Sequence, residues 1–294
     1  MREMVANSRR PGCRGIGCSF RSCTSLRAYG VAADLESELG VAVVSSNLAF
    51  GWHLLRLAGI NDQLEGLGRL FSPRARKMTE KPLPERGFPD AEFVARAARA
   101  QAMMAERDLD ALLVSTKPEV RYLTGFHTPF WQSPTRPWFV ILPAAGRPVA
   151  VIPGIGASAM GNTWVTDIRT WPAPRPTDDG LSLLVETLTE LTGGGGRTPV
   201  RIGLPMGHET HVRMPLTDLD VLRERIAPAS FVDATDVVRG LRMVKSDREI
   251  AKVAHICEVV SGAFEEIGDL LSVGMTEREA FRAFRIDPPR ARCR

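Results

Sequence analysis

Apolar residues recur along this chain with two different periods, and each change of period marks an element. From Asp90 onward, Phe93, Ala97, Ala100 and Met104 fall three and four apart, the spacing of one face of a helix. Ala111 to Ser115 then runs apolar almost without a break, which predicts a strand buried on both faces. Pro118 opens a short helical turn that Gly125 closes. Further strands are predicted at Trp138–Leu142, Val149–Ile152 and Arg201–Leu204. The first two of these flank Pro143-Ala-Ala-Gly-Arg-Pro148 and read as a hairpin. Helices are predicted over Leu181–Leu191 and His211–Arg225, with Gly193 to Gly196 as a surface connection after the first.

Beyond residue 240 the pattern becomes wholly helical. Ser246-Asp-Arg-Glu249 is a capping box, in which the serine oxygen and the glutamate carboxylate satisfy reciprocal backbone amides. Ile250, Val253, Cys257, Val260, Phe264, Ile267 and Leu271 follow at helical steps and predict one long helix with an apolar face. Thr276-Glu-Arg-Glu279 opens another helix through Phe281 and Phe284, and Arg285 to Arg294 abandons the pattern as a Pro/Arg tail. On the other side, Ala32–Leu39 reads as a helix, Val41–Ser45 as a strand and Leu48–Ala58 as a helix. Between them and the central region, Ser72 to Phe88 is rich in proline and charge, without apolar periodicity, and Met78 inside it is an alternative start. The expected divisions are 1–71, a linker over 72–87, a mixed α/β domain over 88–240, two helices over 241–284, and an aberrant tail over 285–294.

Composition narrows the class. At 294 residues, 44% hydrophobic and 24% charged, the chain suits a soluble protein of two domains. Its net charge of +4 comes from arginines in residues 1–27 and 285–294, which leaves the central region acidic. A phosphate-tracking basic face is therefore not expected, and neither is a nucleic-acid partner. No apolar run approaches the roughly 20 residues of a membrane span, and no apolar core of a secretory signal follows Met1. The expectation is a cytoplasmic protein with no membrane partner. Cys13, Cys18 and Cys23 are spaced by five with no Cys-x-x-Cys pair, which points to reduced thiols and against a zinc site.

Candidate chemistry is sparse. Gly207-His-Glu-Thr-His211 has the composition of a zinc motif but the wrong spacing, since its histidines lie three apart and not four. Gly154-Ile-Gly156 follows a strand without the rest of a nucleotide fingerprint. The acids of the 246–271 helix read as solvated surface charges. Phe126 to Trp138 is different: it gathers His127, Phe130, Trp131, Gln132, Arg136 and Trp138 among three prolines. Aromatic rings beside an arginine on a stiffened loop suit a carboxylate or zwitterion, because guanidinium pairs with carboxylate through two bonds and rings exclude water.

Two blocks carry a resemblance. Arg107-Asp-Leu-Asp-Ala-Leu-Leu-Val-Ser-Thr-Lys-Pro-Glu-Val-Arg-Tyr-Leu-Thr-Gly-Phe126 resembles the opening of the amino-terminal domain in the creatinase/prolidase/aminopeptidase P family, the pita-bread metallohydrolases. Leu241-Arg-Met-Val-Lys-Ser-Asp-Arg-Glu-Ile-Ala-Lys-Val253 resembles the entry to their catalytic domain. The resemblance covers about residues 88–284. It implies an α/β fold: a creatinase/prolidase-type N-terminal domain, followed by a truncated pita-bread domain. It also implies metal-dependent hydrolysis of small amide or Xaa-Pro substrates, with divalent metal ions in many full-length members. The family's metal ligands lie beyond the last residue given, so no cofactor and no activity are expected of this chain alone. In creatinase-like relatives the loop matching 126–138 reaches into the neighbouring subunit's active site. By that resemblance Trp131, Arg136 and His127 are the expected substrate-binding residues, a homodimer is expected, and the ligand is a small amide, peptide or zwitterion.

A second resemblance precedes it. Cys23-Thr-Ser-Leu-Arg27 and Ser45-Ser-Asn-Leu-Ala-Phe-Gly-Trp-His-Leu-Leu-Arg-Leu-Ala-Gly59 resemble the C-terminal end of an aspartate/glutamate racemase superfamily protein, closest to maleate isomerase. Cys23 would then be one of two proton-exchanging thiols and Asn47 would lie near the substrate. The partner thiol has no counterpart here, so Cys23 is expected to be inert. Two alternatives to hydrolase ancestry stand beside it: a non-catalytic binding or dimerisation module, and a remnant of cysteine-dependent isomerase chemistry through Cys23.

Overall fold

The computed structural model describes residues 18–21, 31–40, 42–60, 62, 64, 66–71, 83–133, 136–193 and 199–286. Cys23, residues 72–82 of the expected linker, the glycine run after Gly193 and the tail beyond Ile286 lie outside the described residues. The chain divides into two units, Met1–Pro82 and Leu83–Arg294.

In the first unit, strand β1 (Cys18–Arg21) pairs in parallel with β2 (Ala42–Ser45). Helix α1 (Ala32–Leu39) precedes β2 and α2 (Ser46–Leu57) follows it directly. Ser45 caps α2 by accepting from the Leu48 amide at 3.2 Å. Ala32, Leu48, Leu67 and Phe71 form a small core. Glu36 on α1 is buried and accepts from the Val43 amide at 2.8 Å and the Arg69 amide at 2.7 Å. One carboxylate thus ties a helix, a strand and the turn after Gly68.

The second unit is a three-layer α/β arrangement on a six-stranded sheet. Helix α3 (Asp90–Ala105) leads into β3 (Ala111–Val114), α4 (Lys117–Thr124) and the hairpin β4 (Phe139–Pro143) and β5 (Val149–Pro153). Then come α5 (Ala157–Gly161), β6 (Asp167–Trp171), α6 (Leu181–Thr192), β7 (Arg201–Leu204), α7 (Leu216–Arg225), β8 (Ser230–Asp233) and α8 (Thr235–Met243). The strand order is β6-β5-β4-β3-β7-β8, with β4 antiparallel to both of its neighbours and the remaining pairs parallel. The chain therefore builds outward from β3 in one direction, then returns to its other side with β7.

Alternation of side chains explains the two layers of helices. Leu112, Val114, Val140, Leu142, Ala150 and Ile152 face α3, α4 and α8, whereas Ala111, Leu113, Phe139, Ile141 and Val151 face α6 and α7. With both faces covered, β3, β4 and β5 are buried at every position, which is why they read as unbroken apolar runs. The predicted hairpin pairs in antiparallel register, Ile141 opposite Val149.

Three expectations are corrected. The helix expected to begin at His211 begins at Leu216: Pro215 disfavours helical backbone at Met214 and itself sits at the N-cap. The single helix expected through Leu271 ends at Glu265 as α9 (Asp247–Glu265), and a separate turn, α10 (Ile267–Leu270), follows. Gly262 and Gly268 weaken the helix on either side of that break. Strands β6 and β8 were not anticipated, and both are sheet edges with mixed polar sequences.

Both capping boxes form. Ser246 N–H donates to Glu249 Oε2 at 2.8 Å while Ser246 Oγ accepts from the Glu249 amide at 3.2 Å. Thr276 and Glu279 repeat the exchange before α11 (Glu277–Ile286). The apolar stripe of α9 has the predicted spacing but is open to solvent among the described residues: Ile250 is 52% exposed, Val253 59% and Phe264 57%.

Candidate functional site

The aromatic loop is positioned by a turn that only glycine can make. Helix α4 ends at Gly125, whose φ of 80° lies in the left-handed region. A Cβ at Gly125 would also stand 2.8 Å from the Phe93 ring. Thr124 Oγ1 donates to the Val120 carbonyl and accepts from the Phe126 amide at 3.0 Å, which turns the chain inward. Phe126 and Trp138 are fully buried and close the two ends of the loop, their ring centroids 5.2 Å apart. Trp131 completes the cluster at 6.2 Å from Phe126 and 5.9 Å from Trp138.

The floor of this cluster accounts for Gly154-Ile-Gly156. A Cβ at Gly156 would fall 2.2 Å from the Trp138 ring, so this glycine gives the ring its space and has a steric role. The indole N–H groups of Trp131 and Trp138 are buried and make no hydrogen bond among the described residues, whereas that of Trp164 donates to the Leu123 carbonyl at 2.8 Å. An unmade bond on a buried donor costs about 1–3 kcal/mol, so part of this cluster is held against a polar penalty.

Between these anchors, Thr128 caps a short turn over Pro129–Gln132 by accepting from the Phe130 amide at 3.3 Å. Of the expected site residues, His127 is exposed, and Trp131 and Arg136 are half-buried. The Arg136 guanidinium carbon lies 5.5 Å from the Phe130 ring centroid. The loop thus has an apolar inner side and carries His127 and Arg136 outside it. Cys23 lies outside the described residues.

A residue that sequence reasoning missed sits across the loop. The Arg213 side chain donates to the backbone carbonyls of Ser133 and Arg136, and its guanidinium carbon is 5.4 Å from the Trp131 ring centroid. Burial pulls this guanidinium below the ordinary arginine value, though it stays charged. No sequence signal marks Arg213, which lies in the irregular connection between β7 and α7. The Arg213 amide donates to Ser115 Oγ at 3.0 Å, directly after β3. Val114 pairs with Val140, so the loop entering β4 also lies at that edge of the sheet. Connections from β3 and β7 leave here toward opposite faces, at the point where strand order reverses, the usual place for ligand contacts in open α/β sheets.

The Gly207–His211 segment is a turn with a backbone role. Gly207 N–H donates to Thr235 Oγ1 at 2.8 Å, and Met206 N–H donates to Asp233 Oδ1 at 3.1 Å. His208, Glu209 and His211 are exposed, and Arg239 holds the His208 carbonyl. Among the described residues no group of three or more His, Cys, Asp and Glu could hold a metal ion.

Two known families match parts of this chain. The arylmalonate decarboxylase family matches residues 4–71, the racemase-like part of the sequence. An uncharacterized hydrolase/peptidase, y4tL of Sinorhizobium fredii, is 24% identical over 198 residues, 65% of this chain and 48% of that protein. The probable dipeptidase PepE of Mycobacterium tuberculosis is 29% identical over 192 residues, 65% of this chain and 47% of that protein. The chain therefore spans about half the length of the curated relatives it matches. Among solved structures, dipeptidase PepE from Mycobacterium ulcerans aligns with a TM-score of 0.52 at 24% identity, over 68% of this chain and 51% of that one. Prolidase from Thermococcus sibiricus aligns with a TM-score of 0.54 at 18% identity, over 66% and 48%. These two share the fold. The creatinase/prolidase N-terminal domain family matches residues 96–244, half of the sequence, and the chain belongs to that family.

Proposed function

We propose that this chain carries the amino-terminal domain of a metal-dependent hydrolase of small amide or Xaa-Pro substrates, and that its 126–138 loop supplies ligand contacts through Trp131, Arg136 and His127. The observation that carries this reading is the placement of a half-buried ring and two outward cationic or titratable side chains on one anchored loop, within a region of known family. The relatives named as dipeptidases fit the same substrate class. The residues described here do not fit the divalent metal ions of the family, so no hydrolytic step is assigned to them. On this reading the 294-residue chain binds but does not cleave.

The experiment is a titration of the purified chain with an Xaa-Pro dipeptide, followed by tryptophan emission and by product release with added manganese. A saturable change in emission is expected, abolished by Trp131→Phe. Arg136→Ala should weaken it about tenfold, the scale of one lost charge-assisted contact. A silent titration sinks the loop assignment, and metal-dependent product release sinks the non-catalytic one.

A second reading, self-association of two copies, is favoured by the open apolar stripe of α9. Sedimentation velocity would then show a concentration-dependent dimer that Val253→Asp disperses, and a monomer at all concentrations would remove it. Isomerase chemistry through Cys23 rests on the resemblance alone.

A further inference from the structure

The loop that carries Trp131 and Arg136 is fastened from outside its own sequence. Inside the loop, Thr128 Oγ1 accepts from the Phe130 amide and the Phe130 carbonyl accepts from the Ser133 amide, and both bonds lie in the turn at 129–132. The carbonyls of Ser133 and Arg136 are instead gathered by one guanidinium, that of Arg213. The root of Arg213 is fixed, because its amide is bonded to the buried Ser115 at the end of β3. Its tip lies against the Trp131 ring. Among the described residues no carboxylate pairs with it, so its donors are free to serve backbone oxygens.

We propose that Arg213 is the positioning residue of the 126–138 loop, setting how Trp131 and Arg136 are presented. The inference rests on reading that loop as the ligand contact. A planar fork is what the geometry needs, since two carbonyls, those of Ser133 and Arg136, must be held at one fixed separation. A lysine at the same place keeps the charge but offers a single compact donor site, and a methionine keeps only the length.

Hydrogen exchange on the full chain, with tryptophan emission alongside, tests this. In Arg213→Met, amides of 128–133 and 136–140 should exchange about tenfold faster, while those of β5 and α6 keep their rates. Arg213→Lys should fall between, and both variants should show red-shifted emission that Trp131→Phe removes. Unchanged loop exchange in both variants overturns the proposal, as does a uniform rise across the domain. If the methionine variant does not fold, the lysine variant decides by the same two criteria. These readouts need no ligand, so the latch can fail while the dipeptide titration succeeds, or stand while that titration is silent.

Discussion

Arg96 shows how far a single side chain can depart from what its neighbours in sequence suggest. It lies on a helix with other exposed polar residues, yet it is only 3% exposed. Its guanidinium carbon sits 4.3 Å from the Phe88 ring centroid and 4.3 Å from that of Tyr122, and Nη1 donates to the Tyr122 carbonyl at 3.0 Å. Glu92 and Glu249 approach it at 3.4 and 3.2 Å as ion pairs, without the alignment of hydrogen bonds. Both carboxylates are largely buried, so removing the cation strands them. Arg96→Ala is expected to cost about 3–5 kcal/mol in chemical denaturation, and Arg96→Met with Glu249→Gln markedly less. A loss under about 1 kcal/mol for the alanine variant would show that the cage is solvated in solution. Neither Arg96 nor Arg213 was legible in the sequence. Arginine is by default a surface residue, and part of what buries these two arrives from segments far along the chain. Trp131 and Arg136 stand out in the sequence because aromatic and cationic residues crowd one proline-stiffened stretch.

Elements were readable where their determinants are local. Both capping boxes formed as expected because four consecutive residues contain every donor and acceptor involved. Strands β3, β4 and β5 were found because burial on two faces leaves continuous apolar runs. Strand β6 was hidden by its edge position, where Arg169 pairs with Asp167 at 2.9 Å and with Glu190 at 2.6 Å in place of apolar contacts. The β8–α8 turn was hidden in the same way, and it carries a pH signature. Burial raises the Asp233 carboxyl, but hydrogen bonds from Thr235, Met206 and Gly207 together outweigh that and leave it below the ordinary 3.8. A depressed carboxyl adds stability that is present above its unfolded value and lost as pH falls through its folded one. The urea midpoint of the native chain should therefore exceed that of Asp233→Asn by a constant margin from about pH 5 to 7, narrowing below about pH 4. A margin independent of pH would mean that the amide replaces the carboxylate fully.

At the scale of the whole molecule, the α/β class followed from helical and apolar-run segments alternating along one stretch. The sheet order did not. Nothing in the periodicity says that β7 returns to the far side of β3, since that choice is made by which faces α6 and α7 must cover. The sequence changes character over Ser72 to Phe88, where proline and charge replace periodicity, and the structure has two units, Met1–Pro82 and Leu83–Arg294. One small feature within the second unit has effects along a whole helix. Glu249 sends one oxygen to the Ser246 amide and the other to Arg96, so a single carboxylate both starts α9 and moors its first turn to α3. A helix turns about 100° per residue, so an index pin at position 249 sets the heading of every later side chain on that rod. The compass bearing of Ile250, Val253, Val260 and Phe264, and of whatever surface meets them, is thereby referred back to one buried arginine far earlier in the chain, Arg96.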